Sequence, residues 1–457
     1  MNAAHELGEA PIKSLFFKYY VPALTSILSI TLHQTVNGII LGQQVGKEGL
    51  AAVGLYGPVV IMFIALALPI MIGSGILISK NIGAKNYESV QDIFQFATTL
   101  ALLFGGTIAL STPFFVRPIA TFLAGTNDTV LFTNTSDYIF WQLMGLPFFF
   151  LGMFWGNFIR NDGAPKIGKN ASLIAVTLNI ILDLLLIIGL DLGVKGASIA
   201  TVISSFAGVL YLFLHLRKGK NHFGFPEFKF TLKLKQWKEL MALGLPSFAS
   251  EVSFSSGLLI INYFIIPYGS LAIATFGLVN HISFVFIRLF TAAMIATLPI
   301  LSFNIGAKLP HRVLHIFKFS LVFTLVLGLI MTASGFIFSD LLVTLFSGNK
   351  TPQFKQIASR AMSLYFILFI AAGPNYILSA YLQSTGKSTI STLINISKGS
   401  IMIALFLMIL PGFFKMGLSG IWLSRSLAEI FTLLLAGAYT YHNRREYYNE
   451  KVVVVAK

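Results

Sequence analysis

No cysteine occurs in the 457 residues, which excludes disulfides, thiolate metal sites and thiol nucleophiles. Charge is scarce as well. Asp, Glu, Lys and Arg make up 11% of the chain, against about 25% in soluble proteins. Acids are the scarcer sign, with 17 Asp and Glu against 32 Lys and Arg. So little charge cannot cover the surface of a water-soluble enzyme of this length. A Walker A sequence, a zinc-ligand spacing and a nucleophile elbow are also missing, so no motif points to enzymatic chemistry or to a cofactor. The chain is instead 56% hydrophobic with 43 Phe, and its apolar runs reach the roughly 20 residues that cross a hydrocarbon core.

The expected fold class is an all-α polytopic membrane protein. Twelve spanning helices are expected, near residues 15–41, 50–79, 92–115, 130–158, 169–190, 196–216, 239–266, 271–303, 313–338, 354–382, 389–410 and 418–441. The first run has no small-residue cleavage site and is expected to stay as a helix. In a soluble chain a net charge of +15 would indicate nucleic acid. Here the basic residues sit between apolar runs and read as topology signals, so no nucleic-acid partner is expected. They gather at the N-terminus, in the even-numbered loops and at the tail (Lys80, Lys85, Arg160, Lys166, Lys308, Arg312, Lys387, Arg444, Arg445). The odd-numbered loops hold few (Lys47, Arg117, Lys195, Lys350, Lys355, Lys415). That bias places both termini on the cytoplasmic side of a plasma or inner membrane.

The chain is also internally duplicated. Asn-Ile-Gly-Ala-Lys occurs at Asn81–Lys85 and again at Asn304–Lys308, an offset of 223 (304 − 81). Pro22 with Pro246, Gly163 with Gly386, and the pair Gly193 and Gly196 with Gly417 and Gly420 fall on the same offset to within one residue. The expected organisation is a first lobe at residues 1–216, a basic cytoplasmic linker at 217–238 and a second lobe at 239–457. Six crossings return the chain to its starting side, so the repeats run parallel. They are expected to form two lobes around a central cavity, an arrangement suited to alternating access.

Charge is not duplicated with the fold. Asp183 falls opposite Phe406 or Leu407, Glu251 opposite Ile27 or Leu28, and Arg288 opposite Ala65. Asp183 has no charged residue among the ten before it and is followed by Leu184, Leu185 and Leu186. A carboxylate at the bilayer centre costs roughly 2.5–3.5 kcal/mol on insertion scales, so such a residue faces a cavity or a partner and usually has a function. Asn179 lies one helical turn earlier on the same face. Thr201 in helix six and His33, Gln34 and Asn37 in helix one are expected nearby. A carboxylate with amide and hydroxyl oxygens is a hard-oxygen set for a proton or for Na⁺ at Asp183, Asn179 and Thr201; His33 reads as a structural hydrogen-bonding residue. In the second lobe Glu251, Arg288 and Lys398 form a candidate charge cluster, with Glu251 expected to pair with Arg288 or Lys398. Arg425 and Glu429, at i and i+4, are expected to neutralise each other.

These features together resemble the multidrug and toxic compound extrusion (MATE) family of secondary transporters. The resemblance rests on Pro22 and the Gly42–Gly46 turn, the run Leu50–Leu55, the two Asn-Ile-Gly-Ala-Lys loops, Arg160 with Asp162 and Gly163, the Asn179–Asp183 pattern, Gly193–Thr201, and Leu245 and Pro246 with Glu251. It implies a V-shaped two-lobe antiporter that exports small amphipathic, often cationic compounds in exchange for H⁺ or Na⁺. It also implies a first-lobe cation site at Asn37, Asn179, Asp183 and Thr201, and an acidic helix-seven site at Glu251. Two departures stand out. Asn37 occupies a helix-one position where many members carry Asp, and Ala372 and Gly373 lie where one branch carries an acid in helix ten. A lipid-linked oligosaccharide flippase of the same superfamily and a non-transporting membrane receptor or scaffold are the alternative readings. The chain is expected to act as a monomer.

Overall fold

The computed structural model describes residues 3–226, 228–347 and 351–443; Lys350, Arg444 and Arg445, used above for orientation, lie outside them. Among the described residues the regular structure is entirely helical. Helix is the answer a membrane imposes, because each backbone N–H and C=O must find its partner within the segment. Among the described residues eleven helices are long and apolar enough to cross a bilayer, and a bent pair makes a twelfth. We number the spans α1 Ile12–Gln44, α2 Lys47–Gly83, α3 Tyr87–Ala124, α4 Thr129–Met144 with Leu146–Asn161, α5 Pro165–Gly189 and α6 Gly193–Leu216. The second six are α7 Trp237–Tyr268, α8 Ser270–Gly306, α9 Pro310–Ile337, α10 Pro352–Ser384, α11 Ser388–Phe413 and α12 Gly417–His442. The helices begin one to five residues before the expected boundary, since caps and first turns are polar and carry no apolar signal. Asn86 and Asp128, for instance, accept from the N–H groups of Ser89 and Leu131.

Two short helices, Ala3–Glu9 and Ser339–Ser347, were not expected from the sequence. The fourth span was expected to be continuous with Pro147 inside it. It breaks at Gly145 and bends by 47°, because Pro147 lacks an N–H and its ring collides with the carbonyl four residues back. The tenth span breaks at the equivalent place, after Phe366.

The duplication reaches single backbone angles. Lys85 and Lys308 turn with φ of 59° and 58°, Asp191 and Lys415 with 52° and 54°, and Gly46 and Gly269 both with 84°. Two of these pairs of turns use non-glycine residues in a left-handed conformation that is uncommon for them, and all three recur at the 223–224 offset. The side chains that brace them recur too. Asn81 donates to Leu77 O (2.9 Å) and Asn304 to Ile300 O (2.8 Å). Ser79 donates to Asn161 (2.9 Å), and Ser302 donates to Ser384 (3.2 Å).

Two compact units result, one of Met1–Glu9 with Val21–Met241 and one of Ala10–Tyr20 with the chain from Ala242 on. The first turns of α1 pack in the second unit, where Phe16 meets Phe319 and Phe323 edge-on at 5.2 and 5.0 Å.

The basic stretch after α6, expected as a linker, is docked onto the first unit. Phe223, Phe225 and Phe228 pack on Phe94, and Phe225 also meets Trp155 and Phe213. Gln91 and Gly224 exchange two hydrogen bonds of 2.9 Å. Asp162 anchors the near end: Asn221 donates to it at 2.6 Å, and its other oxygen lies 2.5 Å from His222 Nδ1, whose ring stacks on Tyr87 at 4.7 Å. The hydrogen bond to Asp162 raises the His222 pKa above its ordinary value of 6.5, against the burial that lowers it. A raised folded-state pKa contributes stability that is full below about pH 6.5 and is lost as pH rises through the raised value. Replacing Asp162 with Asn is therefore expected to lower Tm more at about pH 6 than at about pH 9. Thermal melts in detergent test this, and an equal loss at both values would sink it.

Candidate functional site

Asp183 lies near the end of the α-helical part of α5 and is fully buried, with 0% of its surface exposed. From Leu184 to Gly189 the helix widens into a π-turn, a feature often found beside functional groups. The turn is shared by fold as well, since Ile409–Phe413 repeats it in α11. In each copy a glycine of the next helix approaches the turn so closely that a Cβ would meet its backbone, Gly196 at Leu186 (3.0 Å) and Gly420 at Leu410 (2.9 Å).

Around Asp183 the structure gathers three of the expected groups. Asn179 is oriented by its surroundings, its amide nitrogen facing acceptors and its oxygen facing a donor. It donates to Asp183 Oδ2 (2.9 Å) and to His33 Nε2, and it accepts from the Thr201 N–H (3.1 Å). The Thr201 hydroxyl lies 3.4 Å from the same amide and donates to Ala197 O (3.0 Å). His33 accepting at Nε2 carries its proton on Nδ1 when neutral. Asn37 is buried with no hydrogen bond to its Oδ1, and Asp183 Oδ1 likewise accepts none. Among the described residues no hydrogen bond joins Asn37 to the Asp183 group.

Tyr138, which the sequence did not single out, lies within electrostatic reach of Asp183 and packs edge-on against Tyr56 at 5.5 Å. Nothing in its spacing distinguishes it from the other aromatic residues of α4.

The second unit has no counterpart of this group. At the offset of 224 the positions of Asn179, Asp183 and Asn37 are filled by Ile403, Leu407 and Ile261, all buried, and that of His33 by Gly257. Its polar residues lie elsewhere. The ion pair expected for Glu251 is not made; among the described residues no cation comes within 4 Å of it, and its side chain is exposed. Arg288 instead lies over the Phe284 ring (4.1 Å) and Lys398 over Tyr376 (4.1 Å). Glu429 does not pair with Arg425 either. Asn375 donates to its Oε2 at 2.7 Å, while Arg425 lies over Phe254 and Tyr365 at 4.8 and 5.6 Å. Spacing of i and i+4 brings two side chains within reach, but a buried amide and two ring faces here outcompete the pairing. No group of three or more His, Asp and Glu is arranged to hold a metal ion among the described residues.

The chain is similar to known proteins over nearly its whole length. "Multidrug export protein MepA" of Staphylococcus haemolyticus is 27% identical across 98% of this chain and 97% of its own length. "Probable multidrug resistance protein YoeA" of Bacillus subtilis is 27% identical across 92% of each. Among solved structures, an outward-facing multidrug resistance MATE family transporter of the MOP superfamily shares the fold, with a TM-score of 0.88 over 97% of this chain and 98% of that one, at 21% identity. A MOP superfamily transporter from Pyrococcus furiosus matches equally, at a TM-score of 0.88 and 21% identity over 99% of both chains. The MatE family profile matches residues 22–185 and 246–424, one segment in each repeat. With both repeats matched over most of its length, this chain belongs to the MatE family.

Proposed function

We propose that this protein is a secondary antiporter that exports small amphipathic compounds across a plasma or inner membrane, both termini cytoplasmic, by alternating access driven through Asp183. The observation that carries this reading is the fully buried Asp183 carboxylate, held on one oxygen by Asn179 and unpaired on the other. A group in that state accepts a proton or a cation readily, and its charge state changes what the surrounding helices can pack against. The printed names of the relatives, a multidrug export protein and a probable multidrug resistance protein, support a broad range of small-molecule substrates.

Between the two coupling ions the geometry favours H⁺. A Na⁺ site needs converging oxygens, whereas Asn179 turns its amide nitrogen toward the carboxylate and its oxygen toward the Thr201 N–H. A proton needs only the free Asp183 Oδ1, with Asn179 able to stay bonded to Oδ2 in either state.

The test is efflux of ethidium from vesicles carrying the purified protein, with an imposed pH gradient or an imposed Na⁺ gradient. Export driven by the pH gradient alone is the expected result. Export driven only by Na⁺ would overturn the choice of ion, and no movement under either gradient would overturn the exporter reading.

A further inference from the structure

The second unit buries more cations than its carboxylates balance. Lys398 sits in a π-turn of α11, Ser397–Ile401, that the first repeat lacks, and only 6% of its surface is exposed. Its ammonium lies 4.1 Å from the centre of the Tyr376 ring and makes no hydrogen bond or ion pair among the described residues. Arg425, also 6% exposed, faces the rings of Phe254 and Tyr365. Arg288 faces Phe284, and its Nε has no acceptor. The three cations face neighbouring rings. Phe254 and Phe284 have ring centres 6.5 Å apart, and Tyr376, beneath Lys398, is within electrostatic reach of Arg288, Arg425, Glu251 and Glu429.

Two carboxylates oppose these three cations, and neither closes a contact with them. Glu429 is held by Asn375, and Glu251 is exposed. An unpaired buried ion costs several kcal/mol. A ring face returns only about 0.5–2 kcal/mol and neutralises nothing. A planar guanidinium and an ammonium beside aromatic faces are the groups that recognise a carboxylate, sulfonate or phosphate attached to an apolar body.

We propose that Lys398, Arg425 and Arg288 form a subsite for the anionic group of an amphipathic substrate, whose aromatic part packs on Phe254, Phe284 and Tyr376. The subsite deepens the exporter reading and rests on it only in treating the bound compound as cargo. It extends the substrate class from cations to zwitterions and anions. Partly exposed Arg288 and Tyr376 give the compound its way in to Lys398.

Rhodamine 110 carries a free carboxylate and rhodamine 123 is its methyl ester, with the same xanthylium cation. Fluorescence anisotropy with the full-length protein in lipid nanodiscs measures binding of each without requiring transport. The native chain is expected to bind rhodamine 110 more tightly than rhodamine 123. Lys398→Gln is expected to weaken rhodamine 110 about tenfold and rhodamine 123 less than twofold, with no marked fall in Tm, because it removes a buried cation whose one contact is a ring face. Arg288→Gln should act in the same direction.

A native chain that does not prefer rhodamine 110 overturns the proposal. So does Lys398→Gln if it weakens both dyes equally, or lowers Tm markedly, since Lys398 would then be a structural counter-charge to Glu429. If the carboxylate preference appears and depends on Lys398 while neither dye crosses the membrane under any gradient, the subsite stands and the exporter reading falls.

Discussion

Asp183→Asn is expected to reduce gradient-driven export to the rate of empty vesicles while leaving the protein folded. The amide is nearly the same shape as the carboxyl group and can still accept from Asn179, so the contacts joining α5, α6 and α1 persist. What the amide cannot do is take up and release a proton. Among the described residues no other carboxylate joins this group: Asn37 is an amide, and His33, an imidazole, meets Asn179 instead of Asp183. Removing a buried carboxylate with an unsatisfied oxygen also removes a desolvation cost of several kcal/mol, so Tm should hold or rise. Dye efflux in vesicles together with thermal melts measures both quantities. Full export by Asp183→Asn would move the coupling site elsewhere and leave the Asp183 group as packing only.

Gly257→Ala is expected to have the largest effect on stability of any single methyl added to the second unit. A Cβ there would lie 2.0 Å from the carbonyl oxygen of Gly399, and one on Gly399 would lie 2.5 Å from the Cβ of Ser253. The obstacle is backbone on the facing helix, which cannot rotate aside, so α7 and α11 must separate. They are also pinned by Asn395, which donates to Pro246 O at 2.9 Å. Overpacking of a helix seam typically costs about 1–3 kcal/mol, occasionally more, and backbone contact at this distance places Gly257→Ala at or above the top of that range. Gly277 in α8 has nothing within 4 Å of its Cβ position and serves as the control; Gly277→Ala should be neutral or gain about 0.4–1 kcal/mol. Equal melting temperatures for the two variants would show that the α7–α11 seam yields freely.

The same glycine shows how far the sequence could be read. The 223–224 offset, the apolar runs and the isolated Asp183 were all legible, because each is a pattern along the chain: a bilayer needs runs of fixed length, duplication leaves motifs in register, and an acid among leucines is conspicuous. The offset also pairs His33 with Gly257, Asn179 with Ile403 and Asp183 with Leu407. Which partners those residues choose was not legible. Asn179 holds both His33 and Asp183 because α1 and α5 stand far enough apart to admit polar side chains between them. In the second unit Gly257 and Gly399 let the corresponding helices meet backbone to backbone, and aliphatic residues fill the rest.

Pairing of charge was misread for a related reason. Glu251 with Arg288, and Arg425 with Glu429, are attractive by sign and spacing. In the folded protein Arg288, Lys398 and Arg425 face rings of Phe284, Tyr376 and Phe254, and Asn375 reaches Glu429 from another helix. The lysines after α6 mark a linker, and Phe223, Phe225 and Phe228 decide where that linker docks. Its lysines are mostly exposed, and exposed charge says little about where a backbone lies.

The sequence by itself determined that this is a helical membrane protein built twice from one six-helix unit, and that a lone acid sits within its fifth span. Those properties depend on local composition and on order along the chain, which burial in lipid translates directly into helix. The tertiary structure alone decided that Asp183 is bonded to Asn179 with one oxygen free, and that three cations of the second unit face aromatic rings. Contacts between side chains on different helices depend on crossing distance and on which competing partner arrives with the better geometry, and neither quantity is written in any single stretch of residues.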